Sequence, residues 1–289
     1  MLNSSITMGY NKNIKPIDPA IRNIANKTIL FTNARNEKNM KEWAAHHLLL
    51  GFDKIYIFDH KSTKPLQNEF SHFDKRVIVE RCNMDNPVKL TLLKRALIIA
   101  QSAGADWMLY LDADEFLILN TFSNIKLLLK SFHYADALAI NWLCFGSNHH
   151  IKDPAGLILD NYTKSDLLVD QHVKTFVRPS QVMYVDNPHF YKIKDSTRNI
   201  TIDNKIVPMG PFNKINMEYN KLHAYIAHYI NQSEESYMNR KVLLPTDHTN
   251  VFRGVDREIH TKHNNVDNFG PKEKYSSKVQ KFLDYYANK

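Results

Sequence analysis

The chain has 289 residues, a length that suits one large domain or two modest ones. With 43% apolar and 24% charged residues it has the composition of a globular protein with a sizeable core. The net charge of +8 is scattered rather than gathered into a basic block, which leaves a bias toward anionic ligands and argues against a nucleic-acid binder.

The two cysteines, Cys82 and Cys144, lie far apart and outside any C-x-x-C, as expected of a reducing compartment and not of a zinc knuckle. No apolar run reaches the ~18–20 residues of a membrane span. Residues 1–27 are polar and rich in Asn and Lys, with no secretory apolar core. A cytoplasmic location is expected, with room for peripheral contact to the cytosolic face of a membrane. Glycine is scarce, and neither a dinucleotide fingerprint nor a P-loop occurs.

In chain order, residues 1–27 read as a flexible lead-in. Thr28-Ile-Leu-Phe-Thr32 is a first strand, running into the polar loop Asn33-Ala-Arg35-Asn36-Glu37. A helix from about Asn39 to Leu50 follows, with Gly51 at the C-cap position. Lys54–Phe58 is a second strand ending in Asp59, and Arg76–Glu80 a third. Asn86-Pro87 predicts an N-cap with proline in the first helical position, for a helix to about Ala103. Trp107–Leu111 is a fourth strand.

Beyond it the sequence predicts a helix over Ser123–Phe132, a strand over Ala137–Trp142 and a helix around Leu157–Ser165. Strand-like pieces cover Val173–Val177 and Val182–Val185, and residues 187–220 read as irregular. Asn231-Gln-Ser-Glu234 predicts a helix start with Glu234 in the capping-box position. Residues 256–275 are polar enough to be flexible. The alternation of strands and helices predicts an α/β fold, a central mostly parallel sheet flanked by helices, over residues 28–242. A partly helical C-terminal extension, residues 243–289, follows.

The fourth strand is fully apolar and ends abruptly in Asp112, Ala113, Asp114 and Glu115. In open α/β sheets ligands bind outside the carboxyl ends of the strands, and Arg35, Asp59, Asp112 and Asp114 all fall at such ends. Ordinary turn acids are the plain reading of a lone D-x-D. The alternative is a site for a divalent cation such as Mg²⁺ or Mn²⁺, which takes few protein carboxylates and leaves positions for phosphate oxygens. Three crowded carboxylates at a buried strand end call for positive charge.

An ordered set of motifs then carries a resemblance. Asn33-Ala-Arg35-Asn36-Glu37, Glu42-Trp43 with His47, Tyr56-Ile57-Phe58-Asp59 and the Trp107–Phe116 stretch come first. Trp142 with Phe145-Gly146-Ser147, Lys174 with Arg178-Pro179, and His228-Tyr229 with Gln232-Ser233-Glu234-Glu235 follow. Over roughly residues 28–242 the chain resembles the glycosyltransferases of family 2 and especially family 92, which have the GT-A fold. One departure is Ala227, where the family has Asn before the histidine.

The resemblance implies a GT-A-like sheet with a smaller, irregular acceptor-side part toward the C-terminus. It implies transfer of a sugar, by inversion, from a nucleoside diphosphate sugar to a hydroxyl of a glycan, glycolipid or glycoprotein. A UDP-sugar is the first expectation for the donor. Asp114 and Asp112 would hold Mn²⁺ or Mg²⁺ on the diphosphate, Asp112 directly or through the ribose. Asp59 and Arg35 would contact the nucleotide. A late histidine would complete the metal site, His189 as first choice and His228 as second. The base would come from Asp153, Asp160 or Asp166, with Asp160 preferred because Gly156-Leu-Ile-Leu-Asp160 is similar to the family's apolar-then-acid approach to a helix. A plain surface role stays open for each. Trp142 and Phe145 could form a sugar platform or be core aromatics.

Two other functions compete. A phosphatase of the haloacid-dehalogenase type also uses an acid pair after a strand, its first Asp as nucleophile, but near the chain start and not followed by Glu. A polyanion binder would rely on the positive charge, bind in a salt-dependent way and have no need of Asp112.

Overall fold

A computed structural model of the chain describes residues 27–256 and 258–289. Apart from Lys27, the expected lead-in lies outside the described residues.

The first half alternates as predicted, with one added four-residue helix between the second and third strands. It runs β1 (Thr28–Ala34), α1 (Met40–Leu50), β2 (Lys54–His60), α2 (Leu66–Glu69), β3 (Val77–Cys82), α3 (Lys89–Ser102) and β4 (Trp107–Tyr110). β3, β2, β1 and β4 lie side by side, all parallel. α1 ends at Gly51, whose φ of 102° lets its N–H turn back to the carbonyl of Leu48 at 3.1 Å.

The second half runs β5 (Glu115–Leu119), α4 (Ile125–Ser131), β6 (Ala137–Cys144), α5 (Ile158–Asn161), β7 (Lys164–Ser165), β8 (Val173–Val177), β9 (Val182–Tyr184), β10 (Lys192–Ile193), β11 (Asn199–Thr201), β12 (Ala224–His228), α6 (Glu234–Tyr237), β13 (Val266–Asp267) and α7 (Ser277–Ala287). The sheet continues from β4 through β8, β6 and β12 to β5, with β11 beside β6. β8 is antiparallel to β4 and β6, and β12 is parallel to β6 but antiparallel to β5. The result is one large, mostly parallel sheet, as the sequence predicted.

Strand alternation divides the core between the two faces of the sheet. Leu30, Trp107 and Leu109 point to the α1 side with Trp43 and Leu48, while Ile29, Phe31, Met108 and Tyr110 point to the α3 side with Leu92, Leu93 and Ala96. Residues 243–289 join this core too. Tyr275 and Val279 are buried on the α1 side, and the Tyr275 ring lies 4.8 Å from that of His46. Among the described residues no helix is long and apolar enough to cross a membrane.

Three helix boundaries differ from the sequence expectation, each for a tertiary reason. α3 starts at Lys89, not at Pro87, because the N–H groups of Val88 and Lys89 donate to the distant carbonyl of Asp247 at 2.9 and 3.1 Å. The helix expected around Leu157–Ser165 stops at Asn161. The N–H groups of Thr163 and Lys164 instead donate to Oδ1 of Asn148, and the chain goes on to pair as β7 with β13. Glu234 is the first residue of α6 rather than its third. Gln232 has a φ of 46°, and the Ser233 hydroxyl caps the helix by accepting from Ser236 N–H at 3.0 Å.

The polar stretch over residues 256–275 is tied down by its amides. Asn264 accepts from Asn148 N–H, Asn265 donates to Asp166, and Asn268 donates to Ser165. Gly146 has to be glycine here, since a Cβ would sit 2.3 Å from Oδ1 of Asn264 and 2.6 Å from the carbonyl of His263.

Candidate active site

Parallel strands bring their carboxyl ends to one edge of the sheet, and a cleft of about 580 Å³ lies there. Asn33 lies near the end of β1 and Arg35 follows it, His60 ends β2, Asp112 and Asp114 follow β4, Trp142 comes from β6 and His228 ends β12. Because β8 runs antiparallel, its near end brings Lys174 to the same edge. Residues 244–248 close one side of the cleft.

Asp112, Ala113 and Asp114 form the turn between β4 and β5. Glu115 N–H donates to the Asp112 carbonyl at 3.0 Å, and Asp112 N–H donates to Oε2 of Glu115 at 2.7 Å. The N–H of Tyr229, just past β12, donates to the Asp114 carbonyl at 2.9 Å. Glu115 is therefore a structural brace of the turn, fully buried.

Four cations on three elements stand against these acids, with the imidazole of His228 beside them. Lys89 and Lys174 both pair with Asp112, Lys174 at 3.1 Å, and Lys174 also lies 3.4 Å from Glu115. Arg240 and Lys241 meet Oδ2 of Asp114 at 3.0 and 2.9 Å, and His228 Nε2 is 3.6 Å from its Oδ1. Burial acts to raise both aspartates. Lys174 and Lys89 outweigh it at Asp112, and Lys241, His228 and Arg240 outweigh it at Asp114, so both are held well below the usual carboxylate range. Burial wins at Glu115, which is pushed up.

An apolar strand thus delivers D-x-D into a cleft rich in cations at the edge of the sheet. The model of glycosyltransferase family 92 matches residues 27–267. The chain belongs to glycosyltransferase family 92. It is thereby a member of a family of transferases, and the match takes in β12, Arg240, Lys241 and the 244–248 segment.

No curated protein matches this family 92 sequence. Among solved structures, 4-diphosphocytidyl-2C-methyl-D-erythritol synthase is similar at 12% identity and a TM-score of 0.35, over 54% of this chain and 77% of that one. HddC from Yersinia pseudotuberculosis is similar at 9% identity and a TM-score of 0.35, over 58% and 84% of the two chains. A cytidylyltransferase from Leptospira borgpetersenii serovar Hardjo-bovis is similar at 13% identity and a TM-score of 0.29, over 54% and 61%. Likenesses this low say nothing about what the family 92 chain binds.

The cleft gathers Arg35, Asp112, Asp114, His189 and His228 from the residues singled out in the sequence. His228 stands opposite Glu115 in the β12–β5 register and beside Asp114, and its buried Nδ1 has no partner. His189 lies at the wall. Its Nδ1 bonds the carbonyl of Val173 at 3.0 Å, its ring is 5.2 Å from Trp142, and burial and Lys174 push its pKa down to about 4. Trp142 lines the cleft with His172 stacked on it at 4.9 Å.

Asp59, Asp160 and Asp153 do not line this cleft. Asp59 is fully buried and accepts from Ser62 N–H, Leu66 N–H and Arg81, organising the loop after β2. Its neighbour His60 faces the cleft instead. Asp160 accepts from the Ser276 hydroxyl at 2.7 Å, with Lys272 3.8 Å away, and so anchors the start of α7. Asp153 pairs with Lys38 at 2.5 Å and with the Ser233 hydroxyl, beside a separate recess of about 60 Å³.

Several cleft residues carried little sequence signal for this role. Lys174 was visible as a charge inside the apolar strand Val173–Val177, and Glu37 as part of the first motif. Arg240, Lys241 and Asp247 had no such mark. Asp247 accepts from Asn33 Nδ2 at 2.7 Å and lies 3.5 Å from Lys89, while Lys89 also donates to Asn33 Oδ1 at 2.9 Å.

Proposed function

We propose that this cleft transfers a sugar from a nucleoside diphosphate sugar to a hydroxyl of a glycan or glycoconjugate, with a divalent cation. The observation that carries the reading is the acidic turn itself. Asp112 and Asp114 leave an apolar strand at the ligand-binding edge of the sheet, in a cleft whose other charges are mostly positive.

The donor set suits Mn²⁺ or Mg²⁺. Asp114 and Asp112 offer carboxylate oxygens, and His228 has an imidazole beside Asp114 with one nitrogen unpartnered. Among the described residues, the one trio of His, Cys, Asp or Glu donors within 4.8 Å of each other is Cys144, Asp166 and His263, outside the cleft. The cleft thus has no closed protein cage, which fits a hard cation that arrives with phosphate oxygens. When bound, such an ion supplies Lewis-acid stabilisation of the departing diphosphate.

The chain's own residues supply the rest. Arg35 and His60 line the side of the cleft next to β1 and β2 and would face the nucleotide. Trp142 offers a ring face to the sugar. For inversion, the base has to be a cleft carboxylate outside the D-x-D. Glu37 is tied to Arg240 at 2.9 Å with its side chain 17% exposed, while Asp247, 3.5 Å from Lys89, is 35% exposed and is the candidate. Burial acts to raise it, but Lys89 and Asn33 hold its carboxyl below the usual range, so it is ionised and able to take the acceptor proton as the new glycosidic bond forms.

The test is thermal stabilisation by a panel of nucleoside diphosphates, with and without Mn²⁺, on the native chain and on Asp114→Asn. A ligand that binds only the folded state raises its stability by mass action. Stabilisation by one nucleotide, only with the metal and lost in the variant, is the expected result, and the base identifies the donor class. No stabilisation, or an equal response from Asp114→Asn, overturns the reading.

A further inference from the structure

Four features of the segment after α6 belong together. Residues Met238–Val242 continue the helix as a wider, π-type turn, a form that recurs at functional sites. That turn brings two consecutive residues, Arg240 and Lys241, to the same oxygen of Asp114. Arg240 is also held from behind by Glu37, through Nε at 3.0 Å, and its Nη1 is buried with no partner. Both side chains line the cleft.

The charges close to Asp114 are therefore two carboxylates, Asp114 and Glu37, against two cations, Arg240 and Lys241. A divalent cation arriving alone on Asp114 would crowd both cations. A diphosphate ester carries two negative charges, so a cation and a diphosphate arriving together leave the local balance unchanged. In that exchange Asp114 would pass to the metal, and Lys241 and Nη2 of Arg240 would lose their partner, beside the already unpartnered Nη1, at the place where phosphate oxygens need donors. Glu37 keeps Arg240 anchored, so its guanidinium need not leave the wall.

We propose that Arg240 and Lys241 are the diphosphate-binding residues of this transferase, parked on Asp114 until the donor's metal takes that carboxylate. The inference rests on the donor reading above and assigns the residues that hold the donor's phosphates. It makes the two ligands mutually dependent through one acid, with no large motion of the chain.

The consequence is a pair of opposite effects that a merely structural role would not give. Removing a parked cation frees Asp114, so metal alone binds better. It also removes a phosphate donor, so phosphate binds worse. The probes are Mn²⁺ alone and inorganic pyrophosphate in saturating Mn²⁺, measured by titration calorimetry on the full chain. The variants are Lys241→Gln, whose Nζ meets only Asp114, and Arg240→Lys, which keeps a charge in the buried position. Expected for Lys241→Gln is several-fold tighter Mn²⁺ and at least about tenfold weaker pyrophosphate, the usual scale of one charged hydrogen bond. Arg240→Lys should weaken pyrophosphate while leaving Mn²⁺ within about twofold.

Asp114→Asn separates the two levels of the argument. If it abolishes Mn²⁺ binding while Lys241→Gln leaves pyrophosphate affinity unchanged, the donor reading stands and this assignment is overturned. If pyrophosphate with Mn²⁺ does not bind the native chain, or binds Asp114→Asn equally well, the donor reading itself fails and takes this inference with it. Parallel weakening of both probes in Lys241→Gln also overturns the parking model.

Discussion

The indole Nε1 of Trp43 donates to the carbonyl of Glu115 at 2.7 Å, tying α1 to the first residue after the acidic turn. His46 and His47 extend the tie, their Nε2 atoms meeting the carbonyl and the N–H of Leu117 at 2.9 and 3.3 Å. Glu42, one residue before Trp43, accepts from the N–H groups of Ile158 and Leu159 at the start of α5. The Glu42-Trp43…His47 motif therefore positions the site from behind rather than entering it. Trp43→Phe keeps most of the buried ring but removes the donor. It should lower stability by about 1–3 kcal/mol in urea unfolding, the scale of a lost buried hydrogen bond.

Lys174 is the most consequential single cation. Its side chain is 1% exposed and shared between Asp112 and Glu115. Lys174→Met would leave the fully buried Glu115 and the part-buried Asp112 with less compensation, a loss of about 3 kcal/mol, the low end for broken buried ion pairs because Lys89 stays on Asp112. Glu115 already has a raised pKa, so the folded variant would take up a proton there more readily than the unfolded chain. Stability lost near neutral pH should thus be partly regained on acidification toward pH ~5. Chemical denaturation at the two pH values checks this, and equal losses at both would contradict it.

His46 gives the opposite dependence. Burial pushes its pKa down to about 4, against 6.5 for an ordinary histidine. Between those values the unfolded chain holds a proton that the folded chain does not, so stability present above pH 6.5 is lost as pH falls toward 4. For this one residue the loss from pH ~7.5 to ~5 comes to about 2 kcal/mol. His46→Gln, which can still donate to the Leu117 carbonyl, should flatten the stability–pH profile by that amount.

Asp247→Asn tests the proposed base. Loss of general-base help typically costs about 10²–10⁴ in rate. With the nucleotide that the stabilisation panel identifies, kcat should fall by that order while the diphosphate-dependent thermal shift stays nearly unchanged. A fall in nucleotide binding as large as the fall in kcat would remove Asp247 from the role of base and make it a binding residue.

The first four strands, α1 and α3 were legible because each strand is a short apolar run that ends in polar residues, whereas the four-residue α2 carried no such pattern. The fold class and the acidic turn followed from that pattern. β5 was harder to see, since it starts at Glu115 with no spacer after the turn. The start of α3 was misplaced because its cap is a backbone carbonyl from residue 247, which leaves no trace near residue 86. Asp59 shows a related limit. A strand end tells where an acid sits, but the loop after β2 turns its carboxylate inward onto Ser62, Leu66 and Arg81. The cations around Asp112 and Asp114 come from α3, β8 and the turn after α6, and only the folded sheet brings them together.

The sheet order also bears on how a ribosome delivers this chain. β5, which carries the acidic turn at its start, has β12 as its strand neighbour, and β12 ends at His228. The first turn of α3 waits on the carbonyl of Asp247. A nascent chain that has emerged only as far as β6 would hold a parallel half-sheet with its cleft unfinished and β5 lacking its partner. The cleft can form only once residue 247 has emerged, so truncations short of it should emerge as clients for chaperones rather than as weak enzymes.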